Sequence, residues 1–279
     1  MPIDAHQHFW TYDEARYGWI AEGGLHALKR DFLPEDLRPL LDQRGVDGTV
    51  AVQARQDLSE SEWLLGLAAD HPWIRGVVGW VDLASEQVEE QLDRLAAARG
   101  GERLVGIRHV VQAEAAGFLD GDAFRRGVAA VGARGLAYDV LILEHQLEEA
   151  VRFCRAMTGQ RLVLDHIAKP RIAAGELDRW AGLMRELGAM EHVTCKVSGM
   201  VTEADHGAWT YDQLTPYMDV AFEAFGPRRL LFGSDWPVCT LAAPYARVHE
   251  VFSRWRASLS MVGATVDAEA AVEAAYGLT

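Results

Sequence analysis

Apolar and polar positions along this chain follow two alternating periods. Short runs rich in Val, Ile, Leu and aromatic residues predict strands over 2–8, 48–53, 74–82, 103–109, 136–142, 161–166, 193–198 and 230–235. Longer amphipathic stretches between them predict helices over 34–43, 59–70, 85–99, 122–133, 144–157, 176–190, 212–225, 246–260 and 267–275. Pro34 suits the first turn of its helix, and Ser59 with Glu62 fits a capping box. In 85–99, Val88, Leu92 and Leu95 recur at helical spacing. No low-complexity linker interrupts the alternation, so 1–279 reads as one domain.

Strand and helix alternating eight times call for a parallel sheet, and a closed (β/α)8 TIM barrel takes about 250 residues. The 279 residues fit with little left over. An open doubly wound sheet is the rival, but its Gly-rich fingerprint is absent after the first strand, where His6-Gln7-His8 stands instead. In a barrel the chemistry sits at the carboxyl ends of the strands. His6, His8, His109, His166 and Asp235 all fall there. Alternation puts Leu231, Gly233 and Asp235 on one face of the last strand, and Leu162, Leu164 and His166 on one face of the sixth. On the fourth strand it sets Gly106 and Arg108 towards the cavity, with Val105, Ile107 and His109 towards the helices.

Composition narrows the partners. With 27 basic against 41 acidic side chains, the net charge of −14 repels phosphate backbones and anionic lipid. Neither nucleic acid nor membrane is expected, and a neutral small molecule is the easier substrate. The scattered Cys154, Cys195 and Cys239 read as reduced, buried thiols, which together with the absence of an export or anchoring signal suggests a cytoplasmic protein. A homo-oligomer is compatible with the sequence.

Two imidazoles two residues apart on a strand point the same way. His6 and His8, joined by His166 and Asp235 from distant strand ends, supply three neutral nitrogens and one anionic oxygen, a composition that suits zinc or a similar divalent ion. Asp235 is the expected general base, able to take a proton from water and return it to a leaving oxygen. Arg108, Gln53 and Lys196 fall on strand positions facing the cavity and are candidates to hydrogen-bond a substrate. Trp10 and Trp236 flank the two motifs and could pack on a substrate ring or simply fill the core. Asp139 suits either cavity polarity or a salt bridge. His145 and His192 read as solvated, and Glu86, Glu89, Glu90 and Asp93 as a wet helix face.

The strings Ile3-Asp4-Ala5-His6-Gln7-His8-Phe9-Trp10, Leu164-Asp165-His166 with Lys169-Pro170, and Gly233-Ser234-Asp235-Trp236-Pro237 resemble the amidohydrolase superfamily, and within it the L-fuconolactonase and L-rhamnonolactonase type. The resemblance runs through essentially the whole chain. It implies a hydrolase that opens the ester ring of a sugar lactone with water, in carbohydrate catabolism. Binuclear members carry a bridging lysine on strand four and a histidine on strand five, where this chain has Gly106-Ile107-Arg108-His109 and Tyr138-Asp139-Val140-Leu141. A single divalent metal at most is therefore implied, zinc first. Related lactonases also include members without one, and there His166 and Arg108 would stabilise the oxyanion. Two alternatives stand beside the lactonase: a zinc-dependent decarboxylase of an aromatic acid, and a non-catalytic sugar-binding barrel.

Overall fold

The computed structural model describes residues 3–22 and 25–278. Pro2, expected to open the first strand, lies outside the described residues. Eight parallel strands pair in chain order: β1 (Ile3–Gln7), β2 (Gly48–Val52), β3 (Ile74–Gly79), β4 (Leu104–Val110), β5 (Ala137–Leu141), β6 (Leu162–Leu164), β7 (Val193–Val197) and β8 (Leu230–Phe232). The last meets the first just beyond β8, where His8 N donates to Trp236 O at 2.7 Å and Asp235 N donates to His6 O at 2.8 Å. The chain is a (β/α)8 barrel, as the periodicity predicts.

Around it run α1 (Gly18–Glu22), α2 (Pro34–Asp42), α3 (Leu58–Asp70), α4 (Val88–Ala97), α5 (Asp122–Ala133), α6 (Leu147–Ala156), α7 (Asp178–Gly188), α8 (Met200–Glu203), α9 (Tyr211–Phe225), α10 (Tyr245–Met261) and α11 (Ala268–Tyr276). The short α1 and α8 follow β1 and β7; one turn offers too little periodicity to be read from sequence. Asp57, not Ser59, caps α3, its carboxylate accepting from Ser59 N at 2.7 Å. Glu62 instead pairs with Arg94 of α4. Pro34 does open α2.

Two apolar layers hold the fold. The larger lies between strands and helices, and the smaller fills the barrel with Ala5, Val50, Val52, Val78, Val105, Ala137, Val163 and Leu231. That inner layer continues into Ala271, Val272, Ala275 and Tyr276, so α11 plugs the N-terminal mouth. All three cysteines are free and buried. Glu86, Glu89, Glu90 and Asp93 are exposed, and Glu89 and Asp93 pair with Arg134. No described helix is long and apolar enough to cross a membrane.

The expected facing is overturned in β1, β4 and β6, and each case shapes the site. In β1 the pairing with β2 slips between Asp4 and Gln7, so Ala5 belongs to the inner layer while the next residue, His6, also faces inward. A similar slip between Val77 and Val78 turns Val105 inward, against the expected outward face, and leaves Arg108 directed into the barrel. In β6 it is Val163 that faces inward, while Leu162 and Leu164 pack outward. His166 does not share an inward face with them.

Candidate active site

His6 and His8 leave β1 at the C-terminal mouth and bring their Nε2 atoms to 3.3 Å. His8 Nδ1 lies 2.8 Å from the Val52 carbonyl oxygen, which can only accept. Nδ1 therefore carries a proton, and Nε2 is turned towards the centre. Asp235 Oδ1 stands 3.4 Å from His8 Nε2 and 3.9 Å from His6 Nε2. His6, His8 and Asp235 thus form one set of mutually close, buried donor groups that could hold one divalent cation. The 3.3 Å separation of the imidazole nitrogens suits two tetrahedral ligands about 2.0–2.1 Å from an ion.

His166 arrives by another route. The backbone turns left-handed just after β6, with φ of 54° at His166, 46° at Ile167, 59° at Ala168 and 47° at Lys169. This turn carries the ring to 4.4 Å from that of His6, centroid to centroid, and puts Nδ1 2.9 Å from Ser198 Oγ. It groups with His6 and Asp165 rather than with the three-donor set. Two glycines make room. A Cβ on Gly233 would come within 2.6 Å of His6 Cβ, and one on Gly199, at φ 64°, within 2.7 Å of His166 Nδ1.

Beneath the histidines lies a buried, charge-balanced group. Arg108 Nη1 contacts Asp165 Oδ2 at 3.0 Å, and Lys196 Nζ contacts Asp139 Oδ2 at 2.6 Å and Asp165 Oδ1 at 3.0 Å. Two cations against two carboxylates is the pairing that burial of charge demands. Arg108 also donates to the Gln53 carbonyl oxygen, and its Nη1 lies 3.2 Å from His6 Nε2.

Burial and neighbours set the protonation states. Burial, reinforced by Lys196, holds His6 well below the usual imidazole range, and burial takes His166 down to about 4. Both rings are neutral at pH 7. Burial pushes Asp235 up, but the imidazoles of His166, His8 and His6 outweigh it and keep the carboxyl below its ordinary value. Asp165 is likewise ionised, because Lys196, His6 and Arg108 overcome desolvation.

A cavity of 410 Å³ opens above this floor, with His8, Arg108, His166 and Asp235 among its lining residues. Trp19, Leu25, Val238 and Leu241 form apolar wall, whereas Lys169 and Glu203 contribute an ion pair at 3.1 Å.

Other sequence candidates lie away from the cavity. Trp10 is wholly buried, its indole N–H donating to Arg30 O, and Trp236 is 3% exposed and packs edge-on against Phe9 and Phe32. Of the two roles open to these indoles, the structure gives them core packing, not a sugar. Gln53 is fully buried, with its amide donating to Arg108 O, and Lys196 is spent on Asp139 and Asp165 below the floor. Neither lines the cavity: Lys196 is claimed by its carboxylate partners, and Gln53 is wholly buried, its Oε1 without a hydrogen-bond partner among the described residues. Asp139 is a salt-bridge residue. His109 faces outward, stacked on Phe118 and paired with Glu114. His145 is exposed, as expected, but His192 is half-buried with Nε2 3.0 Å from Cys154 O.

Asp165 and Ser198 were missed. Strand alternation would have placed Asp165 inward through Val163, had the inward face been assigned correctly. Ser198, a polar residue directly after β7, offered only that position as a signal.

The amidohydrolase family model matches residues 3–276. An L-fucono-1,5-lactonase from Burkholderia multivorans is 45% identical over 269 residues, covering 92% of this chain and 89% of the relative. A second, from Burkholderia ambifaria, is 38% identical over 87% of this chain and 82% of its own length. Among solved structures, a zinc-bound amidohydrolase from Burkholderia multivorans superposes with a TM-score of 0.91 at 42% identity, covering 100% of both chains. Matched in sequence nearly end to end and in the course of its backbone, the chain belongs to the amidohydrolase family.

Proposed function

We propose that this protein is a lactonase that opens the ester ring of a sugar lactone of the L-fucono-1,5-lactone type with water, giving the sugar acid. The observation that carries this reading is the extent of its likeness to L-fucono-1,5-lactonases. The floor geometry alone would serve hydrolysis or decarboxylation; the likeness to L-fucono-1,5-lactonases leaves the decarboxylase alternative the less supported. A non-catalytic sugar binder would have no use for an ionised carboxylate set against neutral imidazoles.

In the reaction, water oxygen bonds to the lactone carbonyl carbon, the ring C–O bond breaks, and the freed ring oxygen takes up a proton. Asp235, held ionised by its imidazole neighbours, is the general base that takes the proton from water and passes it to the leaving oxygen. Arg108, clamped by Asp165 and the Gln53 carbonyl, directs guanidinium N–H groups at the developing oxyanion, with His166 beside it. His6, His8 and Asp235 would hold one zinc ion, which when bound supplies Lewis acidity and a lowered pKa for water. The whole of 1–279 serves as one catalytic unit.

A pH-indicator screen of L- and D-sugar lactones, run on chelator-treated and zinc-loaded protein, tests this. The expected result is turnover of L-fucono-1,5-lactone above the uncatalysed rate. No turnover of any sugar lactone in either preparation would overturn it.

A further inference from the structure

The side chains that α11 buries are Ala268, Ala271, Val272, Ala275 and Tyr276. An apolar plug needs nothing more than such surface, yet the Tyr276 hydroxyl is carried into the barrel and donates to Asp139 Oδ2 at 2.8 Å. The same oxygen takes the Lys196 ammonium at 2.6 Å, while Asp139 Oδ1 has no hydrogen-bond partner among the described residues. A fully buried carboxylate thus rests on two donors. Lys196 Nζ packs against three neighbours at once: Asp139, Asp165 Oδ1 at 3.0 Å and His6 Nδ1 at 3.1 Å. Asp165 in turn holds Arg108 at 3.0 Å, and Arg108 lines the cavity. A continuous buried column therefore links the plug at one mouth to the floor of the cavity at the other.

We propose that Tyr276 is a positioning residue for the active site, fixing the His6 ring and the Arg108 guanidinium through Asp139, Lys196 and Asp165. This rests on the reading of the cavity floor as the site of reaction. Without the hydroxyl, Asp139 keeps a single donor and draws Lys196 towards itself. The His6 Nδ1 and Asp165 contacts loosen, because one ammonium cannot stay close to all three neighbours once its anchor shifts. Partners behind the groups that meet the substrate or ion are worth about 10–100-fold in affinity or activity in comparable sites.

The test is Tyr276→Phe, which keeps the ring and removes one oxygen, with Asp139→Asn as a second approach from the middle of the column. Circular dichroism and thermal melting establish that each variant folds. In chelator-treated protein labelled with 15N-histidine, the His6 imidazole resonances, assigned with His6→Gln, are expected to move by more than a linewidth in either folded variant. In zinc-supplemented protein, kcat for the lactone is expected to fall about 10-fold with KM within twofold, since neither Tyr276 nor Asp139 lines the cavity. Unmoved His6 resonances, or a kcat within twofold of wild type, in a folded variant would overturn the proposal and leave Tyr276 as filler. A wild type inactive on every sugar lactone would sink the functional reading instead, and the His6 spectra alone would then decide this one.

Discussion

At the N-terminal mouth, α11 adds Ala271, Val272 and Ala275 to the inner layer that holds Ala5, Val163 and Leu231, side chains whose packing could be exchanged for others of similar volume. At the C-terminal mouth the same strands end in His6, Asp165, His166 and Asp235, two of them held at positive φ. One end is general and stabilising, the other specific and strained. Positive φ in a non-glycine residue is costly and is kept only where surrounding contacts over-determine it. Here those contacts are Ser198 on His166 and the imidazoles around Asp235. Conserving volume is enough for the aliphatic side chains at one mouth; conserving positions to within about 0.5 Å is needed at the other.

The largest effect that would break this contrast is at Asp235. Asp235→Asn should retain the fold, judged by circular dichroism, and lower kcat by about 10³-fold, within the range of general acid–base catalysis; steady-state assay with the lactone checks it. In the inner layer away from the site, Val50→Ala should cost about 1–3 kcal/mol of stability in denaturant melts, while the folded fraction keeps its wild-type kcat. A Val50 variant that stays stable but loses turnover would erase the distinction between the two ends.

Gly233→Ala sharpens the comparison, since it adds one methyl directly beneath His6. Given the 2.6 Å approach to His6 Cβ, it should cost about 1–3 kcal/mol and reduce kcat, read from melting and kinetics on the same preparation. The last expected effect, read as a slope and not as a loss of activity, is a pH dependence on the site side of the molecule. Glu60, which receives Ala54 N and Arg55 N just beyond β2, is raised by burial from 4.5 to about 7. The folded state therefore binds more protons than the unfolded between those values. Stability should fall as pH rises from 4.5 towards about 7, by at most about 1.4 kcal/mol per pH unit. Glu60→Gln should flatten that slope in urea melts compared across pH.

Much of this molecule is legible from local pattern. The eight strands were found because each is a short apolar run flanked by turn residues, and the barrel followed from their number and spacing. His6, His8 and Asp235 were found because strand ends are where this architecture exposes side chains. The indoles of Trp10 and Trp236 could not be assigned, since proximity to a motif in sequence does not say which side of a strand an outer helix covers. Lys196 was placed in the cavity for a related reason. It does point into the barrel, but depth along the axis, not facing, separates a substrate contact from a buried ion pair.

From its order of residues alone this chain determines a (β/α)8 barrel with imidazoles and a carboxylate at one rim, because hydrophobic period and strand-end position are properties of neighbours in sequence. Only the tertiary structure decided which residues share the inner face. One-residue slips in β1 and β4 and a left-handed turn after β6 reverse the alternation that sequence must assume. It also decided that Asp165, Lys196, Asp139 and Tyr276 meet beneath the site, since buried charges are paired by closeness in space between segments far apart along the chain.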